Sequence, residues 1–328
     1  MEPRGGLVFN RTQLSFWARC LTTALICCLP ARPIFEARTY SRDDVSRKID
    51  QWVPWMLSVI TAAAPKVKGL IAVNCEGQTR GYAYQPAPFL LVADLYRAGF
   101  NLRKPPIFHR VGIPGSGGPD WLRNDYEPII CVTREGKLPW SDNVACGHPP
   151  KWAPGGAMSH RLADGQKVNQ WGMRVKADDT LTATEPTKDG AVARRVKPSH
   201  RTVTNTKKMY SRNPDGTRDE NEQYEPPAVA NPGNVLTISV GGGMMGSPLS
   251  HENEAPFPLE LAAFFVKSFC PPNGIVADCF SGSGTTCHAT IENGRRFVGC
   301  DLRESQILLT ERRMKSGITP DMFSDCSE

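Results

Sequence analysis

The stretch that decides the fold is "ADCFSGSGTT", residues 277 to 286. It follows an apolar run, "IVADCF", that has the length and residue types of a short buried strand, and it leads into "TTCHATIEN", whose pattern suits a helix. A glycine-rich turn between a strand and a helix brings the backbone close to part of a nucleotide-like ligand. Asp278 stands at the strand end, Gly294 is placed to cap the helix, and "RRFVGCD" forms a second strand ending in Asp301. "ESQILLTERRM" continues as a helix, and "APFPLELAAFFVKSF" precedes the unit as another, with Pro258 tolerated in its first turn. This β-α-β-α alternation predicts an open parallel α/β sheet.

Three ligands compete for such a turn. A P-loop carries a lysine after GxxxxG to neutralise phosphates, and no lysine occurs here. A dinucleotide fingerprint, GxGxxG, lacks its third glycine, because Gly282-Ser283-Gly284-Thr285-Thr286 runs on to Cys287. That leaves an NAD-dependent oxidoreductase as the weaker alternative. S-adenosyl-L-methionine has a sulfonium and an ammonium but no phosphate, so two acids at neighbouring strand ends, Asp278 and Asp301, suit it better. Asp301 occupies the position from which an acid grips ribose hydroxyls, and it also suits the start of the following helix.

The first third repeats the alternation. "ALICC", "GLIAVNC", "PPIFHRVGI" and "YEPIICVTR" read as strands, "VSRKIDQWVPWMLSVITAAA" and "APFLLVADLYRAGF" as helices. "LTTALICCLPA" after a basic start resembles a signal peptide, but its better reading is a buried strand entering a loop. Arg19 interrupts the nearest thing to a membrane span. The eleven cysteines include no CxxC pair and several sit in apolar runs, as buried thiols of a reducing, cytoplasmic setting do. "ACGH" lacks a second ligand pair, so no metal site is expected.

The net charge of +6 is uneven. Between Lys151 and Arg218 lie fourteen Lys and Arg against six Asp and Glu, a surplus of eight that suits a polyanion. Residues 112–248 are rich in Gly, Pro and Asn, and pieces such as "AVARR" and "NTKKMYSRNPDGTRDENEQ" read as exposed loops. "SVGGGMMGSP" reads as a hinge back to the sheet.

The segment "VADCFSGSGTTCHATIENGRRFVGCDLRES", residues 276 to 305, closely resembles motifs I and II of the DNA amino-methyltransferases, which modify adenine N6 or cytosine N4. Cys279 replaces the family's usual proline. "HENEAPFPLEL" resembles the motif that lies against the methionine end of the cofactor, and "PPIFHRVGIPGSGGPDWLRNDYEPIICVTR" resembles the segment carrying the "HEYIL" strand. The resemblance implies a Rossmann-like methyltransferase sheet, helices on both faces and a loop-rich insertion. It implies S-adenosyl-L-methionine as cofactor, held by Asp278, Phe280, Gly282, Ser283, Gly284, Thr285 and Asp301, with Phe257 and Pro258 near its methionine end.

The motif order resembles the β-type arrangement: a catalytic half over residues 1–111, a basic target-recognition insertion over 112–248 and a cofactor half over 249–328. The partner implied is double-stranded DNA, often within a restriction-modification system, and a homodimer is left open. In the insertion, Trp140, Trp152, Trp171 and Tyr210 could meet bases or riboses, and Arg194, Arg195 and Lys197 phosphates. The family's catalytic loop, [D/N/S]-P-P-[Y/F], has its nearest counterpart in Arg32-Pro33-Ile34-Phe35 after "TALICC". Pro33 and Phe35 are the catalytic candidates, but Arg32 cannot accept a hydrogen bond from an amino group. Either the loop works through backbone carbonyls and Phe35, or the chain binds cofactor and DNA without efficient transfer.

Overall fold

In the computed structural model, residues 48–112, 117–149, 229–253 and 256–317 are described with most of their side chains, and residues 7–10, 24–27, 173–175, 181–183, 210–212 and 218–223 as backbone strands. The chain divides into two compact units, one of residues 1–146 with 232–328 and one of residues 147–231.

The first unit holds, in chain order, β1 (Leu7–Asn10), β2 (Ala24–Cys27), α1 (Ile49–Ala63), β3 (Ile71–Asn74), β4 (Gln78–Arg80), β5 (Ala83–Gln85), α2 (Ala87–Arg97), β6 (Asn101–Arg103), β7 (Ile107–Val111) and β8 (Tyr126–Thr133). Within the second unit, β9 (Met173–Val175) pairs antiparallel with β10 (Leu181–Ala183), and β11 (Tyr210–Arg212) with β12 (Arg218–Gln223). The first unit resumes with β13 (Val235–Ser239), 3₁₀ turns at Gly242–Met245 and Pro248–Glu252, α3 (Leu259–Phe269), β14 (Ile275–Asp278), α4 (Thr285–Glu292), β15 (Arg296–Asp301) and α5 (Glu304–Gly317).

Nine strands make one sheet in the order β1-β15-β14-β2-β3-β8-β7-β13, with β6 also pairing β8. From β1 to β3 every pairing is parallel; β8 runs antiparallel to β3, β6 and β7. Strand β3 shows how the sequence fills both faces. Ile71 and Val73 join the core formed with α1 and α2, whose buried residues include Met56, Ile60, Leu91 and Leu95. Leu70 and Ala72 join the opposite core with Phe265 and Val266 of α3 and Cys287 and Ala289 of α4. Covered on both sides, the strand is an unbroken apolar run rather than an alternating one. The helices therefore lie on both faces, as expected.

The turn-bearing region is where the sequence reading holds best, since β14, α4 and β15 match the strand, helix and strand expected around "SGSGTT". Gly294, at φ +72°, follows α4 as the expected cap. Pro258 precedes the first residue of α3 instead of standing inside its first turn.

The span 112–248 assigned to the insertion contains both sheet strands and the separate unit. β8 and β13 fall within that span yet are strands of the large sheet, and the separate unit runs only from Gly147 to Asn231. Hydrogen-bond partners distant in sequence, such as β13 with β7, bring these strands back. The two halves are also interleaved, because β15 and β14 lie between β1 and β2.

Candidate functional site

The order in which successive strands are added to the sheet reverses between β14 and β2, although the two strands run parallel. From β14 the chain proceeds through α4 to β15 on one side; from β2 it proceeds through α1 to β3 on the other. Open α/β sheets hold ligands outside the carboxyl ends of the strands at such a switch point. Asp278 ends β14 at that place, and Asp301 ends β15 beside it, with Asp278 in register with Gly299.

Asp278 is buried and organises the turn from inside. Its Oδ1 accepts the Phe280 amide at 2.9 Å, and its Oδ2 accepts the Thr286 hydroxyl at 2.6 Å. Burial pushes its carboxyl up to about 7; the bonds from Thr286 and Phe280 oppose the rise, and Asp301 adds to it. Asp301, half-buried, spans two segments. Its Oδ2 accepts the Gly282 amide at 3.0 Å and its Oδ1 the Arg303 amide at 3.0 Å, just ahead of α5. It thus ties the turn to the entry of α5 without being that helix's capping residue.

The glycines are required by geometry. Gly282 and Gly284 sit in the left-handed region at φ +49° and +78°. A Cβ on Gly284 would lie 2.7 Å from Thr310 Cγ2, and one on Gly282 2.9 Å from Asn253 Nδ2. Thr310 also donates its hydroxyl to the Gly282 carbonyl at 2.9 Å. The turn is therefore clamped by Asp301 from one side and by α5 from another.

Behind the turn lies a guanidinium that the sequence pattern had not singled out. Arg313 of α5 is fully buried. Its Nη1 donates to Thr285 Oγ1 at 2.8 Å and to the Ser283 carbonyl at 3.3 Å, and its Nη2 donates to the Met245 carbonyl at 2.7 Å. Nε donates to His288 Nδ1 at 3.4 Å. Burial lowers the guanidinium to about 10 and holds His288 below the ordinary histidine range, with Arg313 adding to the latter. The one feature of the sequence that pointed here is the doubled threonine: Thr285 serves Arg313, and Thr286 serves Asp278.

Of the other expected site residues, Ser283 and Thr285 are buried with the turn. Phe280 is partly buried, its ring edge-on to Trp55 of α1 with centroids 5.8 Å apart. Phe257 and Pro258 are buried at the start of α3, Phe257 in the core that also takes Cys287 and Ala289. Pro33 and Phe35, and Arg194, Arg195 and Lys197, lie outside the described residues. What the described residues assemble is a close-packed, lysine-free glycine turn at the switch point, with one half-buried carboxylate beside it.

A family model described as "DNA methylase" matches residues 31–312, most of the chain. Among curated proteins, the Type II methyltransferase M.SfiI of Streptomyces fimbriatus is 37% identical over 92 residues, 28% of this chain and 20% of that protein. Type II methyltransferase M1.MboII of Moraxella bovis is 38% identical over 52 residues, 16% of this chain and 20% of that protein. The matched segments thus span about a fifth of each of these relatives. Among solved structures, the PvuII DNA methyltransferase (cytosine-N4-specific) aligns over 98% of this chain and 90% of its own, with TM-score 0.57 and 14% identity, a likeness of fold. With the family pattern extending from residue 31 to residue 312, the chain belongs to the N6/N4 DNA methylase family.

Proposed function

We propose that this chain transfers a methyl group from S-adenosyl-L-methionine to an exocyclic amino group, adenine N6 or cytosine N4, in double-stranded DNA. The observation that carries the reading is the lysine-free turn Asp278–Thr286, clamped to Asp301 at the switch point. Its chemistry fits a cofactor without phosphates. Gly282 and Gly284 let the backbone approach the adenosine, Asp301 is half-buried where ribose hydroxyls would lie, and Phe280 offers an apolar edge. Asp278 acts from inside, holding Phe280 and Thr286 in place. Ser283 and Thr285 complete the turn, and Phe257 and Pro258 support the side assigned to the methionine end.

When bound, S-adenosyl-L-methionine supplies an electrophilic methyl group on a sulfonium centre. The chain's part is to extract the target base, orient its amino nitrogen and accept an amino hydrogen. We assign these tasks to the segment after β2, with Phe35 against the base, Pro33 shaping the loop and backbone carbonyls as acceptors. Arg194, Arg195 and Lys197 are assigned to phosphates. A restriction-modification setting accords with the type II relatives, and a cytoplasmic location belongs to the same proposal.

Arg32 favours one rival: a member that binds cofactor and DNA but transfers poorly. Transfer of tritium from labelled S-adenosyl-L-methionine to DNA, with cofactor binding measured by calorimetry, separates the two. Binding with transfer is expected. Binding without transfer selects the rival, and no binding removes the reading. Replacing Arg194, Arg195 and Lys197 with Ala is expected to weaken DNA binding and flatten its salt dependence.

A further inference from the structure

The carboxyl edge of the sheet carries an aromatic cluster that neither the glycine turn nor the loop after β2 accounts for. β3 runs parallel to β2 and β14, so the segment after Asn74 emerges at the same edge as Asp278. β8 is antiparallel to β3, so its first residue, Tyr126, starts at that edge, as does the loop leading to it. The segment after β3 folds into the hairpin β4–β5, tipped by Gly81 and Tyr82.

Five aromatic rings gather there. Tyr82 meets Trp121 edge-to-face with centroids 5.8 Å apart, and Tyr84 meets Phe89 in the same manner at 6.4 Å. Tyr126 is close enough to influence the Tyr84 hydroxyl, which burial and Glu76 hold in its protonated form. Tyr82 is 73% exposed, while Tyr84, Phe89 and Tyr126 are each close to half exposed. Edge-to-face packing covers at most one face of one ring in each pair, and the exposure of Tyr82 leaves ring surface open to a ligand. Monomeric proteins rarely leave clustered large apolar side chains in water without a use for them.

Tyr82 adds an independent observation. Gly81 and Tyr82 have φ of +55° and +62°, the pair of left-handed conformations that a two-residue hairpin turn requires. Gly or Asn adopts the second position at little cost, whereas a tyrosine is strained there. Strained residues of this kind gather at functional sites. Here the strain places a ring at the hairpin tip.

We infer that Tyr82, with Trp121 and Tyr84 behind it, forms a stacking platform for an unpaired nucleobase of the bound DNA, beside the position of the extracted target. The inference rests on the proposed methyl transfer to DNA. Extracting one base leaves its partner and neighbours unstacked, and aromatic faces take up such bases without regard to sequence. Arg80, exposed on the same hairpin and paired with Ala83 beside Tyr82, adds positive charge near the platform.

The test uses the full chain and two fluorescein-labelled duplexes, one fully paired and one with a central mismatch containing 2-aminopurine. Wild type is expected to prefer the mismatched duplex and to quench its 2-aminopurine. Tyr82→Asn is expected to lower that affinity about tenfold, while Tyr82→Trp preserves it. Because Asn suits the left-handed position, Tyr82→Asn should melt no lower than wild type, which separates lost stacking from lost folding. Unchanged affinity and quenching in Tyr82→Asn overturns the inference. So does a shift from dimer to monomer in sedimentation with DNA affinity intact, which makes the patch a contact between copies. A wild type that binds neither duplex fails at the functional reading itself and takes the inference with it, a result distinct from a silent variant.

Discussion

Arg313 and His288 share a buried hydrogen bond in which the guanidinium donates and the imidazole Nδ1 accepts, at 3.4 Å. That arrangement holds only while His288 is neutral, with its proton on Nε2. A protonated ring would set two cations against each other behind the cofactor turn. Burial and Arg313 both hold the folded-state value of His288 below 6.5, so between that lower value and 6.5 the unfolded chain binds more protons. Stability from this group is full above pH 6.5 and is lost as pH falls through the folded-state value. Urea denaturation of wild type and His288→Gln at about pH 7.5 and about pH 5.5 should show the larger acid loss in wild type. Equal losses would dismiss the coupling.

Asp278 has the opposite sign. Its carboxyl is raised from 3.8 to about 7 in the folded protein, so the folded state holds the proton more tightly across that window. The stabilisation is complete below 3.8 and disappears as pH rises through about 7. Asp278→Asn removes this dependence. Relative to the variant, wild type should therefore lose stability between about pH 5 and about pH 8. A difference that stays flat over this range would show that the buried carboxyl does not hold its proton above the ordinary carboxylate range.

The turn is more demanding at Gly284 than at Gly294. Both have positive φ, but a Cβ meets Thr310 at the first and nothing within 4 Å at the second. Gly294→Ala should cost about 1–2 kcal/mol, the backbone penalty alone. Gly284→Ala should cost more, and Thr310→Ser should recover part of the excess by removing Cγ2 while keeping the hydroxyl bonded to Gly282. A double-mutant cycle on chemical denaturation midpoints reads this directly. Additive effects would show that the contact is not responsible.

Thr286→Val deletes the hydroxyl that reaches Asp278 Oδ2. Leaving a buried acceptor short of a partner should cost about 1–3 kcal/mol. The carboxyl, having lost one of the bonds that oppose its rise, should titrate still higher. Cofactor affinity should fall with the turn's loss of order, measurable by calorimetry alongside the melting temperature.

A second polar cluster stands at the ends of β3, β7 and β8. Glu127 is buried, accepts Asn74 Nδ2 at 2.7 Å and lies 3.4 Å from Arg110, which also faces Glu76 at 3.5 Å. Arg110→Ala should destabilise by about 3 kcal/mol, because two largely buried carboxylates lose an ion-pair partner. Arg110→Ala combined with Glu127→Gln should recover part of that loss in urea denaturation. A cost below about 1 kcal/mol for Arg110→Ala would show that the ion pairs with Arg110 contribute little to stability.

What could be read from the chain was local. The β14–α4–β15 unit shows itself because its strand, turn and helix follow one another and each carries its own pattern, and α1 and α2 declare themselves through apolar spacing. Long-range pairing left little trace. β1 is a four-residue strand whose partner, β15, lies nearly the whole chain away. β13 alternates buried and exposed residues inside a span whose composition suggested loops. The hairpin β4–β5 turns on Gly-Tyr, not on the Asn-Gly pair that marks such turns. In "TERRM" the two arginines look alike, yet α5 carries Arg312 out to Glu252 and Arg313 inward beneath the turn. Only the packing distinguishes them.

The order β1-β15-β14-β2 has a consequence for how this protein is made. The strands that separate β1 from β2 are synthesised about 250 residues after β2. Until they arrive, β1 and β2 have no backbone partner between them, and β2 presents an open edge of the kind that attracts other chains. The central sheet can close only after synthesis has passed Asp301, so the nascent chain must wait, shielded or at risk of aggregation, for β14 and β15.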